Sequence, residues 1–164
     1  YPEFLIEILE ACGRQDVHRA VDTSGFVKKE ALLKVAQHTD LFLYDLKMVD
    51  AEKHKRYTGV DNRLILDNLV ALAEYGSEVQ IRIPLIGGVN DDDESVSAMA
   101  AYVAALPGEK RAVSLLPFHN VARGKDEKLG QKRDLAALHE PGADALRGVI
   151  DIFAGYGLTA SLGG

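Results

Sequence analysis

The sequence predicts an α/β fold built on about five mostly parallel strands. The first observation is an apolar run at residues 41–44 that ends at an acid and a base, Asp45 and Lys47. Such runs are typical of strands buried on both faces. The second is that strand and helix patterns alternate along the chain, which favours parallel strands joined by right-handed crossovers. The third is that polar residues close successive strands, so we expect them to converge on one edge of a barrel or open sheet.

The first half of the chain supplies two strands and four helices. The predicted order is helix 3–11, strand 17–21, helix 28–37, strand 40–46, helix 50–57 and helix 61–75. The helices carry apolar residues three and four positions apart, whereas residues 17–21 alternate apolar and polar side chains. Asp50 is a predicted helix N-cap, and Gly13 and Gly76 are predicted helix stops.

The second half continues the alternation. The predicted order is strand 79–83, helix 91–106, strand 112–116, helix 143–154 and strand 158–162. The acids at 91–94 suit the positive end of a helix dipole, and capping is their preferred interpretation over a calcium loop, whose acids alternate. Residues 120–141 show no periodicity and form a long connection, which indicates either a functional or a mobile segment.

Composition excludes several classes of function. The 164 residues fit a single domain with its own core. A net charge of −6 argues against a nucleic-acid partner. No apolar stretch approaches the roughly 20 residues that span a bilayer, and no signal peptide is recognisable, so we expect no membrane partner and a cytoplasmic location. A single cysteine, Cys12, excludes an internal disulfide and a multi-cysteine metal site.

Asp45 and Lys47 are the first candidate site residues. One residue separates them, so their side chains point to the same side if the strand continues that far. Together they could hold a zwitterion, or they could form a structural ion pair that closes the strand end. Arg82 lies in an otherwise apolar strand, where its guanidinium could clamp a carboxylate or remain bound to Asp45. His119, which follows a strand, could act on a ligand or be structural.

The remaining polar features have simpler interpretations. Thr23 and Ser24 are typical of a turn, and Gly87-Gly88 permits a close backbone approach or a plain turn. Cys12 is expected to pack on the first helix. Three other histidines lack zinc-ligand spacing and are predicted at the surface. They are His18, His54 and His139.

Five short motifs give the chain a resemblance to a known family. In order they are Asp22-Thr-Ser-Gly25, Leu43-Tyr-Asp-Leu-Lys47, His54-Lys-Arg-Tyr-Thr-Gly59, Ile81-Arg-Ile-Pro84 with Gly88-Val-Asn-Asp91, and Leu115-Leu-Pro-Phe-His119. Each is weak alone, but their order and spacing resemble the glycyl-radical-enzyme activating enzymes. These form the pyruvate formate-lyase activating enzyme group of the radical S-adenosylmethionine (SAM) proteins. The resemblance runs over most of the chain.

The resemblance implies a fold, a cofactor and a site. The fold would be an incomplete, open (β/α) barrel with SAM across the carboxyl ends of its strands. The SAM-binding residues would be Asp45, Leu46, Lys47, Arg82 and His119. A monovalent cation beside SAM would be held by Asp22, Thr23 and Asp45. The parent protein would use SAM and a [4Fe–4S] cluster to generate a glycyl radical on a partner enzyme, the glycyl radical enzyme.

The chain departs from this family at the start. The family carries Cys-x3-Cys-x2-Cys for the cluster and then a Gly-Gly-Glu-Pro motif, and neither is in this sequence. Residues 1–164 therefore resemble the C-terminal two-thirds, a truncated single domain without the cluster-binding strands. We expect this chain to bind no cluster, to hold no catalytic residue of its own and to be inactive alone. We also expect self-association, because the new edge strand near residues 17–21 would have unpaired backbone groups.

Two other functions remain open from the sequence. One is a binding module that retains SAM or a related nucleoside without a cluster. The other is a Schiff-base aldolase that uses Lys47 at a strand end. The second requires an uncharged lysine, which the neighbouring carboxylate of Asp45 disfavours.

Overall fold

The protein forms one five-stranded sheet with helices between the strands. The computed structural model describes residues 1–108, 112–119 and 138–163. The helices in these ranges are α1 Pro2–Gly13, α2 Lys29–Ala36, α3 Ala51–Thr58, α4 Arg63–Tyr75, α5 Asp93–Ala104 and α6 Ala143–Gly155. The strands are β1 Ala20–Thr23, β2 Leu41–Asp45, β3 Val79–Leu85, β4 Val113–Pro117 and β5 Ala160–Leu162. Of the predicted connection 120–141, residues 120–137 lie outside the described ranges.

The topology confirms the predicted α/β fold. The strands are ordered β1-β2-β3-β4-β5, and each neighbouring pair is parallel. Every crossover moves one strand along in the same direction. Since such parallel crossovers are right-handed as a rule, the connecting helices lie on one face of the sheet. No helix of the described residues is long and apolar enough to cross a membrane.

Helix ends follow the sequence signals. The Asp50 side chain accepts a hydrogen bond from the Lys53 amide at 2.6 Å and begins α3. Asp92 accepts one from the Ser95 amide at 2.9 Å and begins α5, which confirms capping as the role of the acidic run. Gly76 ends α4 in the left-handed conformation, as predicted.

The core lies between the sheet and its helices. Phe42 and Tyr44 of β2 are fully buried, as are Ile81 and Ile83 of β3. The hydroxyl of Tyr44 donates to the carbonyl of Ile65 in α4 at 2.7 Å, which ties the centre of the sheet to its helical layer. Burial in an apolar setting raises the pKa of Tyr44, because the charged form loses its hydration there.

The prediction that β2 is buried on both faces was wrong. Its residues alternate between buried and partly exposed positions, with Leu41, Leu43 and Asp45 in the partly exposed set. The physical reason is that the helices cover only one side of the sheet. We call the other side the open face. In register it carries Asp22 of β1, Leu43 and Asp45 of β2, and Arg82 of β3.

Several strand boundaries also differ from prediction, and β1 and β3 show the physical reasons. β1 begins at Ala20 rather than at residue 17, because the chain first makes a turn in which the Val17 amide donates to the Cys12 carbonyl. The alternation of residues 17–21 therefore belongs partly to that turn. β3 continues through Pro84 to Leu85, two residues further than predicted.

His54 was predicted at the surface, and that prediction was wrong. The residue is 2% exposed although α3 is a charged helix. Its Nδ1 lies 2.8 Å from the carbonyl oxygen of Val60 and 3.0 Å from the hydroxyl of Thr58. These local partners take the place of water in hydrogen bonding to the imidazole nitrogen, so the ring can be buried. The charged sequence of the helix did not indicate this burial. His18 and His139 are exposed, as predicted.

An ion pair fastens the start of β2 to the residue before β1. The Arg19 guanidinium donates to both carboxylate oxygens of Asp40, at 2.8 and 2.6 Å, and the Arg19 amide donates to the same carboxylate at 2.8 Å. These hydrogen bonds lower the pKa of Asp40 to about 2 from the usual 3.8.

This pair predicts a pH-dependent contribution to stability. Because the folded-state pKa of Asp40 is depressed, its contribution is complete above about pH 4 and is lost as the pH falls through about 2. We therefore expect Asp40→Asn to be less stable than wild type at neutral pH, with the difference shrinking between pH 4 and 2. Urea unfolding across this range checks it. A difference that is constant with pH would contradict the assignment.

Candidate functional site

Three charged side chains meet on the open face, near the carboxyl ends of β1 and β2 and level with the middle of β3. Asp45 and Arg82 are register partners on neighbouring strands. Arg82 Nη2 lies 2.8 Å from Asp45 Oδ1 and 2.5 Å from Asp22 Oδ1, and Arg82 Nε lies 3.1 Å from Asp45 Oδ1. One guanidinium thus bridges two carboxylates, one from β1 and one from β2.

Arg82 is held in this position electrostatically. Its side chain is only 18% exposed. Burial acts to lower the pKa of Arg82, but hydrogen bonds to Asp22 and Asp45 outweigh it, so the pKa is raised. Of the two interpretations that the sequence left open for Arg82, the structure shows the bond to Asp45. The charge of Arg82 is therefore already shared between two carboxylates.

Lys47 is the more available cation at this edge. Its Nζ lies 3.5 Å from Asp45 Oδ2, at the far limit of a hydrogen bond, and its side chain is 36% exposed. Asp45 therefore accepts from Arg82 on one oxygen and faces Lys47 with the other. Leu46, between them, is fully buried on the opposite face. Only its backbone could face a ligand on the open face.

The predicted cation-binding residues are only partly together. Asp22 and Asp45 share Arg82 Nη2, so a guanidinium already lies between their carboxylates. Thr23 alternates to the other side of β1, and its Oγ1 accepts from the Gly25 amide at 3.0 Å. In the described residues no group of three or more His, Cys, Asp or Glu side chains is placed to hold a metal ion.

His119 lies just after β4 and points into solvent. Its side chain is 70% exposed, and its Nδ1 lies 3.6 Å from a carboxylate oxygen of Glu140. Within the described ranges no hydrogen bond or ion pair joins it to Asp45, Lys47 or Arg82. The structure thus brings together four predicted site residues and leaves His119 apart. The four are Asp22, Asp45, Lys47 and Arg82.

Three polar residues of the site region were missed from the sequence. Ser114 of β4 is the register partner of Arg82, Gln80 lies two residues before Arg82 on β3, and the Gln80 amide donates to the Ser114 hydroxyl at 2.8 Å. The signal for Gln80 was its two-residue spacing from Arg82, which puts both side chains on the same face of β3. Asn90, inside the Gly88-Val-Asn-Asp91 motif, is 1% exposed and bonds to the ends of β2 and β3.

Comparisons with known sequences agree with this architecture. The model of the Radical SAM superfamily matches residues 1–99. The chain is 38% identical to the trans-4-hydroxy-L-proline dehydratase activating enzyme of Clostridioides difficile, over 99% of this chain and 54% of that protein. It is 40% identical to the choline trimethylamine-lyase activating enzyme of Oleidesulfovibrio alaskensis, over 79% of this chain and 42% of that protein. The chain therefore spans about half the length of these relatives.

Comparisons with solved structures give the same fold. A domain of a pyruvate-formate lyase-activating enzyme from Bacteroides vulgatus superposes with a TM-score of 0.85 at 37% identity, over 99% of this chain and 91% of that one. A radical SAM methyltransferase from Sphaerobacter thermophilus superposes with a TM-score of 0.67 at 17% identity, over 91% of this chain and 42% of that one, which supports the fold alone. The incomplete, open (β/α) barrel is thereby confirmed. By sequence and by fold, the chain belongs to the radical SAM superfamily.

Proposed function

We propose that this chain is the SAM-binding part of an activating enzyme that acts on a glycyl radical enzyme. The observation that carries the proposal is the arrangement of Lys47, Asp45 and Arg82 at the carboxyl end of β2, where Arg82 of β3 is the register partner of Asp45. Ligands of parallel α/β folds bind at this edge. Support for the partner class comes from the relatives, which are activating enzymes for a dehydratase and a lyase.

The chemistry of these side chains fits the amino-acid end of SAM. That end is a zwitterion with one ammonium and one carboxylate. Lys47, with one long contact to Asp45, can donate a charge-assisted hydrogen bond to the SAM carboxylate. Asp45 is positioned by Arg82 and offers its second oxygen to the ammonium. When bound, SAM would supply the carbon–sulfur bond whose reductive cleavage starts radical chemistry in this superfamily.

The residues of this chain do not fit a [4Fe–4S] cluster. Such clusters are held by several cysteine thiolates, and the sequence contains one cysteine, Cys12 in α1. We therefore assign no electron-transfer step to these residues. The prediction that this chain alone is inactive rests on that ligand count.

Removing the Lys47 charge is expected to weaken SAM binding by about tenfold or more, the size of one lost charge-assisted hydrogen bond. Calorimetric titration of SAM into wild type and Lys47→Met measures this. Lys55→Met is the matched control, because Lys55 is an exposed lysine of the nearby helix α3. We expect the control to bind like wild type.

Two outcomes would contradict the proposal. Equal affinity of wild type and Lys47→Met would remove Lys47 from the site. Absence of heat with wild type at millimolar SAM would remove SAM binding from this chain. Both measurements are independent of catalytic turnover.

We also propose that two copies associate through the β1 edge. Among the described residues no strand pairs with the outer side of β1. Helix α1, which packs against α2, and its N-cap Tyr1 expose an apolar stripe of Tyr1, Phe4 and Ile8, which are 104%, 64% and 42% exposed. A free edge next to an apolar stripe is a surface that a second copy can cover across a two-fold axis.

Sedimentation of the chain at tens of micromolar is expected to show a dimer. Phe4→Glu should shift it to monomer, because a buried carboxylate opposes the association. Tyr75→Glu, at an exposed tyrosine at the end of α4, is the control and should remain dimeric. A wild-type chain that is monomeric at these concentrations would refute the proposed interface.

A further inference from the structure

Three buried asparagines brace the segments that follow β1, β2 and β3. They are Asn62, Asn68 and Asn90, which are 2%, 0% and 1% exposed. Each donates from its side-chain amide to two backbone carbonyls. The acceptors are Met48 and Val49 for Asn62, Gly25 and Val27 for Asn68, and Lys47 and Pro84 for Asn90.

Asn90 differs from the other two because it spans two strands. Its Nδ2 donates to the Lys47 carbonyl at 2.9 Å and to the Pro84 carbonyl at 2.8 Å. Its Oδ1 accepts from the Ile86 amide at 2.8 Å. The side-chain amide therefore uses both its nitrogen and its oxygen, and it joins Lys47, the second residue after β2, directly to β3.

The need for this link comes from Pro84. The Leu46 amide donates to the Arg82 carbonyl at 2.9 Å, which continues the parallel ladder one residue past the end of β2. The next ladder bond would be donated by the backbone of residue 84, but proline has no N–H. That missing bond would be accepted by the Leu46 carbonyl, so the backbone ladder between β2 and β3 ends at the Leu46 amide. The Asn90 amide makes the next link, one residue further along, by donating to the Lys47 and Pro84 carbonyls.

We propose that Asn90 is a positioning residue for Lys47. By holding the Lys47 carbonyl against β3, it fixes where the lysine side chain leaves the backbone and keeps its Nζ beside Asp45. Asn90 makes no contact with a ligand in this scheme and acts through Lys47. For SAM the inference rests on the proposed function, whereas the placement of Lys47 can be tested without any ligand.

The ligand-free test observes Lys47 directly. Lysines are labelled by reductive ¹³C-methylation, and the Lys47 signal is assigned by its loss in Lys47→Met. In Asn90→Ala we expect this signal to move to the position of a flexible, solvated lysine. Asn68→Ala is the matched control, since it also removes two amide-to-carbonyl bonds from a buried asparagine but braces the loop after β1. It should leave the Lys47 signal in place.

The SAM titration is the second measurement. We expect Asn90→Ala to bind SAM about tenfold more weakly than wild type and Asn68→Ala to bind within about twofold, because only the first releases Lys47. If wild type binds no SAM, the proposed function fails, and the methyl signal still decides the role of Asn90. An unchanged Lys47 signal in folded Asn90→Ala, or an equal change in Asn68→Ala, would overturn the inference.

A second variant covers the case in which Asn90→Ala does not fold. Pro84→Ala returns an N–H to β3, which can donate to β2 and extend the ladder. We expect the double variant Pro84→Ala/Asn90→Ala to fold and to recover the wild-type Lys47 signal at least in part. A folded double variant whose Lys47 signal is that of a flexible lysine would contradict the role of Asn90 in linking β2 to β3 beyond the point where Pro84 ends the ladder.

Discussion

Replacing Gly25 with alanine is expected to lower the free energy of unfolding by about 3 kcal/mol or more, as the sum of three effects. Gly25 has φ +72°, where a β-carbon costs about 1–2 kcal/mol. That β-carbon would lie 1.6 Å from the hydroxyl oxygen and 2.3 Å from Cζ of Tyr44. Tyr44 is fully buried, and its hydroxyl donates a hydrogen bond to the Ile65 carbonyl. It therefore cannot move aside without losing that hydrogen bond and its packing.

Gly59→Ala separates backbone strain from this clash. Gly59 has φ +83°, but a β-carbon there would meet nothing within 4 Å. We expect it to lose only the strain energy of about 1–2 kcal/mol in urea unfolding. Equal losses at Gly25 and Gly59 would show that the close approach to Tyr44 has no energetic role.

Arg82→Met is expected to have the largest effect at the site itself. It leaves Asp45 and Asp22 facing each other without the guanidinium that bridges them. Removing one partner of a buried pair costs about 3–5 kcal/mol, and partial exposure of these carboxylates reduces our expectation to about 1–3 kcal/mol. SAM affinity should fall as well, since Asp45 loses the group that orients it.

Two further variants test this explanation. Asp22→Asn should cost less than Arg82→Met, because Asp22 is 61% exposed and Asp45 keeps its partner. Arg82→Lys should be more stable than Arg82→Met but less stable than wild type, because an ammonium lacks the planar fork that reaches both carboxylates. Urea unfolding of all three variants checks the order. Full rescue by lysine would mean that the charge alone matters.

Much of the fold follows from local patterns in the sequence. The alternation of strand and helix segments requires few long-range assumptions, and parallel order with right-handed crossovers follows from it. Asp50 and Gly76 acted as helix start and stop as predicted. The resemblance to activating enzymes of the radical SAM superfamily was also confirmed, because several weak motifs in order carry more information than any one of them.

The features that the sequence did not reveal depend on partners distant along the chain. The open face of β2 could not be inferred from Leu43, which is apolar yet partly exposed because no helix covers that side. Asn90 lies 43 residues from Lys47 in sequence, and nothing local marks the carbonyl it binds. The bridge from Arg82 to Asp22 spans 60 residues and depends on the register of three strands. Such contacts are set by topology, whereas sequence patterns report mainly local structure.

A chemical-shift map of the SAM complex tests the central claim most directly. Unlabelled SAM is titrated into the ¹⁵N-labelled chain, and backbone amide shifts are followed. We expect the perturbed amides to cluster around Asp45, Lys47 and Arg82, with the outward-facing residues of α4 unchanged. Saturable shifts confined to another surface, or no shifts at millimolar SAM, would contradict SAM binding at the carboxyl ends of β2 and β3.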